Sequence, residues 1–401
     1  MRLVSTKRIG EIAKVKGGKR LPKGMEVQDD ETSHPYLRVL DFGSDGVDRS
    51  NIKYISKEVF EYVKRYTITS DDVYVSIAGT IGRVGIVPED LSGANLTENA
   101  AKITEISQEV DKQYLLHFLR SSQGQGALQN KAGGTSQPKL ALFRIEEIEF
   151  PCFPILQQQH IASILSTYDD LIENNRRRMT LLEDAARQVY QEWFVRLRFP
   201  GCEHTRIVDG VPEGWERKRL GEVCYDVRDA VLPDALELDT PYIGLEHIPR
   251  RSISLTEWGS AEQVTSMKLR FREGEILFGK IRPYFHKVGI AFVDGVVSSD
   301  ALVIRPTEEK LSGLVLMTVS SDAFVANTSQ TMREGSKMPR ADWKQMKEYP
   351  VAVPPDGLLT TFNDTICSIT AQLKNLTFQN QKLRTARDLL LPKLMSGEIA
   401  V

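Results

Sequence analysis

The sequence predicts an α+β protein in which two pseudo-symmetric α/β domains are separated by a long antiparallel two-helix coiled coil. Three observations carry this expectation. The chain is written twice, each half opens with short apolar runs cut by turn residues, and each half closes on a long helix with a heptad pattern.

The repeat sets the organisation. PYLRVLDFG (Pro35 to Gly43) has a partner in PYIGLEHIP (Pro241 to Pro249), and DDVYVSIAGTIGRVGIV, from Asp71, in EGEILFGKIRPYFHKVGIA, from Glu273. GGTSQPKL, from Gly133, is answered by EGSKMPRA, from Glu334, and TKRIGEIAKV near the start by WERKRLGEVC after Pro212. Proline-rich segments, EFPCFP and EYPVAVPP, close each globular half. The period is near half of the 401 residues, too long for a solenoid. The reading is a duplicated domain–helix unit: residues 1–154 and 200–355 as domains, 155–199 and 356–401 as helices.

Within each domain, VYVSIA, RVGIV, EILFG and ALVIRP alternate with Gly, Asp, Asn and Pro turns, a strand pattern. KQYLLHFLRSS (Lys112 to Ser122) and SGLVLMTVSSDAF (Ser312 to Phe324) read as helices. The heptads follow. In the first long helix the seam is Ile161, Leu165, Tyr168, Ile172, Asn175, Met179, Leu182, Ala186, Val189 and Trp193. In the second it is Phe362, Ile366, Ile369, Leu373, Leu376, Asn380, Leu383, Arg387, Leu390 and Leu394. The two lists keep one constant offset. A 3.5-residue period over more than four heptads is a coiled-coil seam; amphipathic helices covering a sheet are the alternative, but such helices seldom run to ~50 Å. Since the first helix ends where the second domain begins, helices packed along their length must be antiparallel. Asn175 sits in the seam, where a buried amide costs stability but fixes register. Its equivalent is Leu376, and Asn380 aligns with Met179, so the offset leaves open whether the two asparagines meet.

Composition excludes several classes. No apolar run is long enough to cross a bilayer, and MRLVSTKRIGEIAK lacks the apolar centre of a signal peptide. Cys152, Cys202, Cys224 and Cys367 are scattered, with no CxxC and no nearby histidine pair, which argues against a zinc site and a disulfide framework and for a reduced, cytoplasmic setting. The net charge of −2 does not announce a nucleic-acid binder, but basic residues gather at Lys7–Lys23 and at Arg217–Arg219. A local basic face binds phosphates even on a neutral chain, although a solvated surface has the same composition.

Catalytic signatures are weak. Gly274–Lys280 (GEILFGK) fits the phosphate-loop spacing GxxxxGK, which makes a nucleotide-dependent enzyme the alternative reading; yet Ile281 stands where a Ser or Thr should bind magnesium, and EILF reads as a strand. Asp300, Glu308 and Lys310 mimic a metal-nuclease spacing and read better as a strand and a solvated turn. No catalytic residue and no metal are expected. Two similar domains at fixed separation suit a partner with two half-sites, for which duplex DNA is the obvious candidate, and a stiff helical pair sets the spacing. The halves differ in sequence, so the expected target is asymmetric and bipartite. A coiled-coil interaction protein without a DNA role is a further alternative.

The order domain, helix, domain, helix, with PYLRV and PYIGL, SIAGTIGRVGIV and GTSQPKL…EFPCFPILQQQHIASILSTYDDLIENN, resembles the specificity subunit of type I restriction-modification systems across essentially the whole chain. The second helix departs from the pattern, because VPPDGLLTTFND has no Gln-Gln-His, which would make two partner contacts unequal. The resemblance implies that each domain is a target-recognition domain, that the helices space the domains and dock two modification (methyltransferase) subunits carrying S-adenosylmethionine, and that two ATP- and Mg-dependent restriction (motor-nuclease) subunits join for restriction. The chain itself would catalyse nothing. Base reading needs donors and acceptors on loops. The candidates are Lys16, Lys19, Arg20, Arg38, Thr80, Arg83, Lys131, Thr135, Ser136, Gln137 and Lys139 in the first domain. In the second they are Arg228, Lys280, Arg282, Tyr284, His286, Lys287, Arg333, Ser336, Lys337 and Arg340, with Tyr284 and Phe285 readable either as stacking residues or as core.

Overall fold

A computed structural model describes residues 5–43, 46–49, 51–133, 138–330 and 339–399. The architecture is α+β, with two long helices, Ile155–Tyr190 and Asp356–Met395. It divides into two compact units: Met1–Glu173 with Gln381–Val401, and Asn174–Asn380. Each unit therefore holds one globular domain and a part of both long helices. Among the described residues no helix is long and apolar enough to cross a membrane.

The first unit carries two four-stranded sheets. One orders Lys14–Gly17, Ala100–Thr104, Val73–Ser76 and Val84–Ile86, all antiparallel. The other orders Lys53–Tyr54, Pro35–Leu37, Ala94–Leu96 and Thr67–Ile68, with its central pair parallel. The second unit repeats this plan with Cys224–Val227, Ala301–Pro306, Ile276–Gly279 and Val288–Ile290, and with a five-stranded sheet whose parallel pair is Pro241–Ile243 with Gly295–Ser298. The duplicated PY segments thus occupy the same ladder position. In each domain the opening strand pairs with the proline-rich closing segment: Thr6–Arg8 with Glu149–Pro151, and Glu216–Arg219 with Pro350–Val353.

The duplicated RIGEI and RLGEV motifs have a steric cause. Each forms a one-turn helix whose glutamate accepts a backbone N–H at the turn's start, Glu11 from Arg8 at 3.2 Å and Glu222 from Arg219 at 2.6 Å. A Cβ on Gly10 would lie 3.0 Å from Glu146 Cβ, and one on Gly221 would lie 3.0 Å from Lys347 Cβ. Glycine is the residue that permits that approach.

The two long helices pack on each other within each unit. Every expected seam position is buried or half-buried. In the first unit Ile161 and Leu165 share a core with Leu390 and Leu394, and Asp169 binds both Arg387 and Arg120. In the second, Met179 and Ala186 pack with Ile366, Ile369, Leu373 and Leu376, and Trp193 lies 5.6 Å from Phe362. Late residues of one helix meet early residues of the other, so the pairing is antiparallel. It also answers the open question about the asparagines. Asn175 Nδ2 donates to Asn380 Oδ1 at 3.0 Å, with both side chains buried. The first helix ends in a π turn, Gln191–Val195, so its regular part is shorter than the 155–199 span expected.

The helix segment expected over Lys112–Ser122 is Lys112–Arg120, and the one over Ser312–Phe324 breaks into Ser312–Val319 and Asp322–Gln330. His117 on the first of these is 1% exposed, and its Nε2 lies 3.3 Å from Ser166 Oγ. Burial pushes its pKa down to about 4. The neutral ring is the folded form, while the unfolded chain protonates near the ordinary value of about 6.5. Stability contributed by the neutral ring is therefore whole above pH ~6.5 and is lost as pH falls toward about 4, by ~3 kcal/mol in all. Amide hydrogen exchange over residues 112–120, corrected for intrinsic rates, should show this loss in the native protein and not in His117→Gln. An identical profile for the two proteins would remove His117 as its source.

Candidate nucleic-acid interface

Each domain carries one turn that leaves the centre of its antiparallel sheet, and the two turns share a backbone frame. In the first domain the turn joins Val73–Ser76 to Val84–Ile86; in the second it joins Ile276–Gly279 to Val288–Ile290. Ile77 N–H donates to Asn99 O at 2.8 Å, and Ile77 O accepts from Leu140 N at 2.9 Å. Lys280 N–H donates to Asp300 O at 2.8 Å, and Lys280 O accepts from Ala341 N at 2.9 Å. Bridges Ala78–Lys139 and Ile281–Arg340 complete the match. The chain that follows the duplicated glycine loop is thus laid against the sheet turn in both domains. Thr80, Arg83 and Lys139 gather in the first, and Lys280, Arg282, Tyr284 and Arg340 in the second. Thr135, Ser136, Gln137, Arg333, Ser336 and Lys337 lie outside the described residues.

Side chains around the turns have different fates. Thr80 and Lys139 are exposed. Arg83 is half-buried and donates to Phe42 O. Lys131 pairs with Glu147 at 3.1 Å. Arg340 pairs with Asp300 at 3.1 Å, and burial lowers the pKa of Lys280. Arg228 remains 74% exposed in its side chain while pairing with Asp226 at 2.8 Å.

Three candidates have internal employment. Arg38 donates to both carboxylate oxygens of Asp41 and to Asn51 O, which pins the segment after Pro35–Leu37. His286 is buried, with Nε2 2.8 Å from Ser320 O and Nδ1 3.4 Å from Asp322, and burial lowers its pKa. Lys287 donates to Leu245 O, and its pKa is also lowered by burial. These side chains hold the frame. Tyr284 resolves the other way: it is 53% exposed and is not core.

The basic opening segment does not form an uninterrupted cationic face. Lys7 pairs with Glu109, Lys14 and Lys16 with Glu105, and Arg20 with Glu98. The hydrogen bonds from Lys14 and Lys16 hold Glu105 down at about 2. Lys19 is exposed above the Tyr66 ring at 5.8 Å. Exposed pairs of this kind contribute little to stability, so these cations can exchange a carboxylate for a phosphate at small cost.

The phosphate-loop alternative is overturned. Ile276–Gly279 is a buried central strand bonded to both neighbours, so its N–H groups serve the ladders and cannot cradle a phosphate. Asp300 and Lys310 of the nuclease-like spacing are paired with Arg340 and with Asp356.

Arg250 is a residue that the sequence reading missed. It is exposed and makes no ion pair among the described residues, and its guanidinium lies 4.1 Å from the Phe285 ring centroid. The twin arginine after HIP was the available signal. Gln158, of the Gln-Gln-His sequence, proves internal: fully buried, it donates to Glu109 O and Phe153 O and accepts from Asp111 N. Its counterpart in the second helix is the buried Leu359, while Asn363 caps Gly313 there. The missing motif is therefore a change of internal packing at Gln158.

Residues 1–184 match the family model described as the type I restriction modification DNA specificity domain. The chain is 23% identical over 302 residues to the type I restriction enzyme MjaIX specificity subunit of Methanocaldococcus jannaschii, covering 73% of this chain and 70% of that one. It is 30% identical over 124 residues to the EcoBI specificity subunit of Escherichia coli, covering 31% of this chain and 26% of that one. The crystal structure of a type I restriction-modification system S subunit from M. genitalium shares the fold, with a TM-score of 0.56 at 17% identity over 98% of this chain and 97% of that one.

Proposed function

We propose that the chain is a member of the type I restriction-modification DNA specificity family, supported by the family match over residues 1–184 and by its similarity to specificity subunits, and that it reads an asymmetric, bipartite DNA target, one domain per half-site. It is the non-catalytic, sequence-recognising member of its system. The observation that carries the finer reading is the duplicated sheet turn: one backbone frame, presented twice, with different side chains on each copy. A shared frame places equivalent loops against equivalent grooves, and different side chains select different bases.

On this reading Thr80, Arg83, Lys139, Lys280, Arg282, Tyr284 and Arg340 approach DNA most closely, together with Thr135, Ser136, Gln137, Arg333, Ser336 and Lys337. Lys16, Lys19, Arg20, Lys131 and Arg228 serve phosphates at the margins. The long helices set the gap between half-sites and dock two modification subunits, which bring S-adenosylmethionine; two restriction subunits bring ATP and Mg. The setting is cytoplasmic.

Mapping N6-methyladenine across the genome of a host expressing this chain with its modification subunits tests the reading. One split motif should be present, and it should vanish when the chain is deleted. A methylation pattern indifferent to the chain would overturn the proposal.

A further inference from the structure

The second domain's turn is more strained than its fold requires. Both turns place a left-handed residue near the start and another near the end. In the first domain these are Gly79 and Gly82, with φ of 78° and 91°. In the second they are Arg282 and His286, with φ of 49° and 54°. A residue with a Cβ is strained in that conformation, and the first domain shows that glycine serves the same frame. Such strain persists where the surroundings over-determine it and marks sites of function.

The strain holds one short feature rigid. Between Arg282 and His286, Pro283–Phe285 forms a single 3-10 turn closed by Phe285 N to Arg282 O and His286 N to Pro283 O, each 2.8 Å. His286 is plugged into the domain through Ser320 O, and Arg251 N donates to His286 O at 2.9 Å. Arg282 N is tied to Pro339 O at 2.9 Å. Phe285 lies beneath Arg250 and supports Tyr284 edge-to-face, with centroids 5.0 Å apart. Tyr284 itself projects, and its hydroxyl makes no hydrogen bond among the described residues. The first domain offers Thr80 and Ile81 at this tip, and Ile81 packs on the core.

We propose that Tyr284 is a fixed stacking platform that inserts against an unstacked base in the half-site read by the second domain, with Arg250 and Arg282 on the flanking phosphates. This rests on the DNA reading proposed above. An aromatic face stacks on any base, and an apolar or aromatic wedge between base steps unstacks them. A rigid ring loses little freedom on binding, which is what the strained turn provides. Because the first domain lacks the ring, unstacking is confined to one half-site.

The test uses the full chain with its modification subunits and the split target found by methylation mapping. A fluorescent base, 2-aminopurine for purines and pyrrolocytosine for cytosine, replaces each position in turn. One position in the second-domain half-site should brighten on binding with the native protein and with Tyr284→Phe, and stay dim with Tyr284→Ala. Affinity should fall on the order of tenfold to a hundredfold in Tyr284→Ala alone. Equal brightening with Tyr284→Ala, or loss with Tyr284→Phe, would overturn stacking while leaving the DNA reading intact. A complex that binds no split target would sink both.

Discussion

Glu183→Ala is expected to remove about 3–5 kcal/mol from the second unit. Glu183 sits on the first long helix and is 6% exposed. Its carboxylate accepts from Ser252 Oγ at 2.7 Å, Ser254 Oγ at 2.6 Å, Ile253 N and Ser254 N at 3.2 Å each, and Arg187 at 3.0 Å. Truncation leaves the buried Ile253 N–H and two hydroxyls without their carboxylate acceptor and Ser254 N–H with only its 3.3 Å bond to Ser252 Oγ, and the energy lies in those donors more than in the Arg187 pair, which is partly solvated. All four tryptophans, Trp193, Trp215, Trp258 and Trp343, lie within Asn174–Asn380, so tryptophan fluorescence reports this unit alone. The midpoint of its urea transition should drop by roughly 1.5–2.5 M for a slope of ~2 kcal/mol/M. The effect reaches the interface, because the segment Glu183 holds continues into Arg251, whose N–H ties down His286 O. On the proposed DNA reading, recognition by the second domain should therefore weaken even where the unit remains folded. An unchanged midpoint would show that water replaces the carboxylate without penalty.

Much of this molecule was legible in its sequence, and what was not divides by physical cause. The duplicated strands, the RIGEI and RLGEV turns and the heptads are local patterns, set by period and by the steric needs of single glycines. The meeting of Asn175 with Asn380 was not legible from the constant offset between the helices. Antiparallel pairing reads one list backward: the partner of Asn175 is Asn380, and the symmetry-related pair is Met179 with Leu376. The staggered asparagines, which looked mismatched side by side, are the arrangement that lets them pair. At the proposed interface, glycine and basic residues drew attention to the two sheet turns but not to the fate of each side chain. Arg38, His286 and Lys287 are committed to Asp41, Ser320 O and Leu245 O, partners from a few to some forty residues away in sequence. GEILFGK shows the converse failure, since a spacing that fits a phosphate loop is disarmed by the strand it occupies. Glu183 had no local signal that set it apart, and the twin arginine after HIP marked Arg250 without its role, because both roles exist only once Ser252–Ser254 and Phe285 are in place.

Inserting seven residues after Asn175 and seven before Asn380 should abolish methylation at the original target and move it to one with a longer gap. The insertion points face each other across the Asn175–Asn380 hydrogen bond, so pairs on either side keep their partners. A whole heptad preserves the phase of the seam. Each insertion lengthens its helix by ~10 Å, equivalent to about 3 base pairs of duplex. Three base pairs also turn the groove by about a third of a revolution, while a heptad leaves the facing of the helix nearly unchanged. One heptad should therefore give a gap lengthened by about 3 base pairs and weakened binding, since the duplex must twist to present both half-sites. Three heptads add ~31 Å, or about 9 base pairs, close to a full turn, and should bind better than one. That non-monotonic order separates a rigid spacer from a flexible tether, for which affinity would decline smoothly with length. Inserting three residues instead breaks the seven-residue phase of the apolar stripe and should overwind the pair locally around Asn175. Methylation that keeps its original gap after the heptad insertions would show that the domains find their half-sites without the helices as a measure.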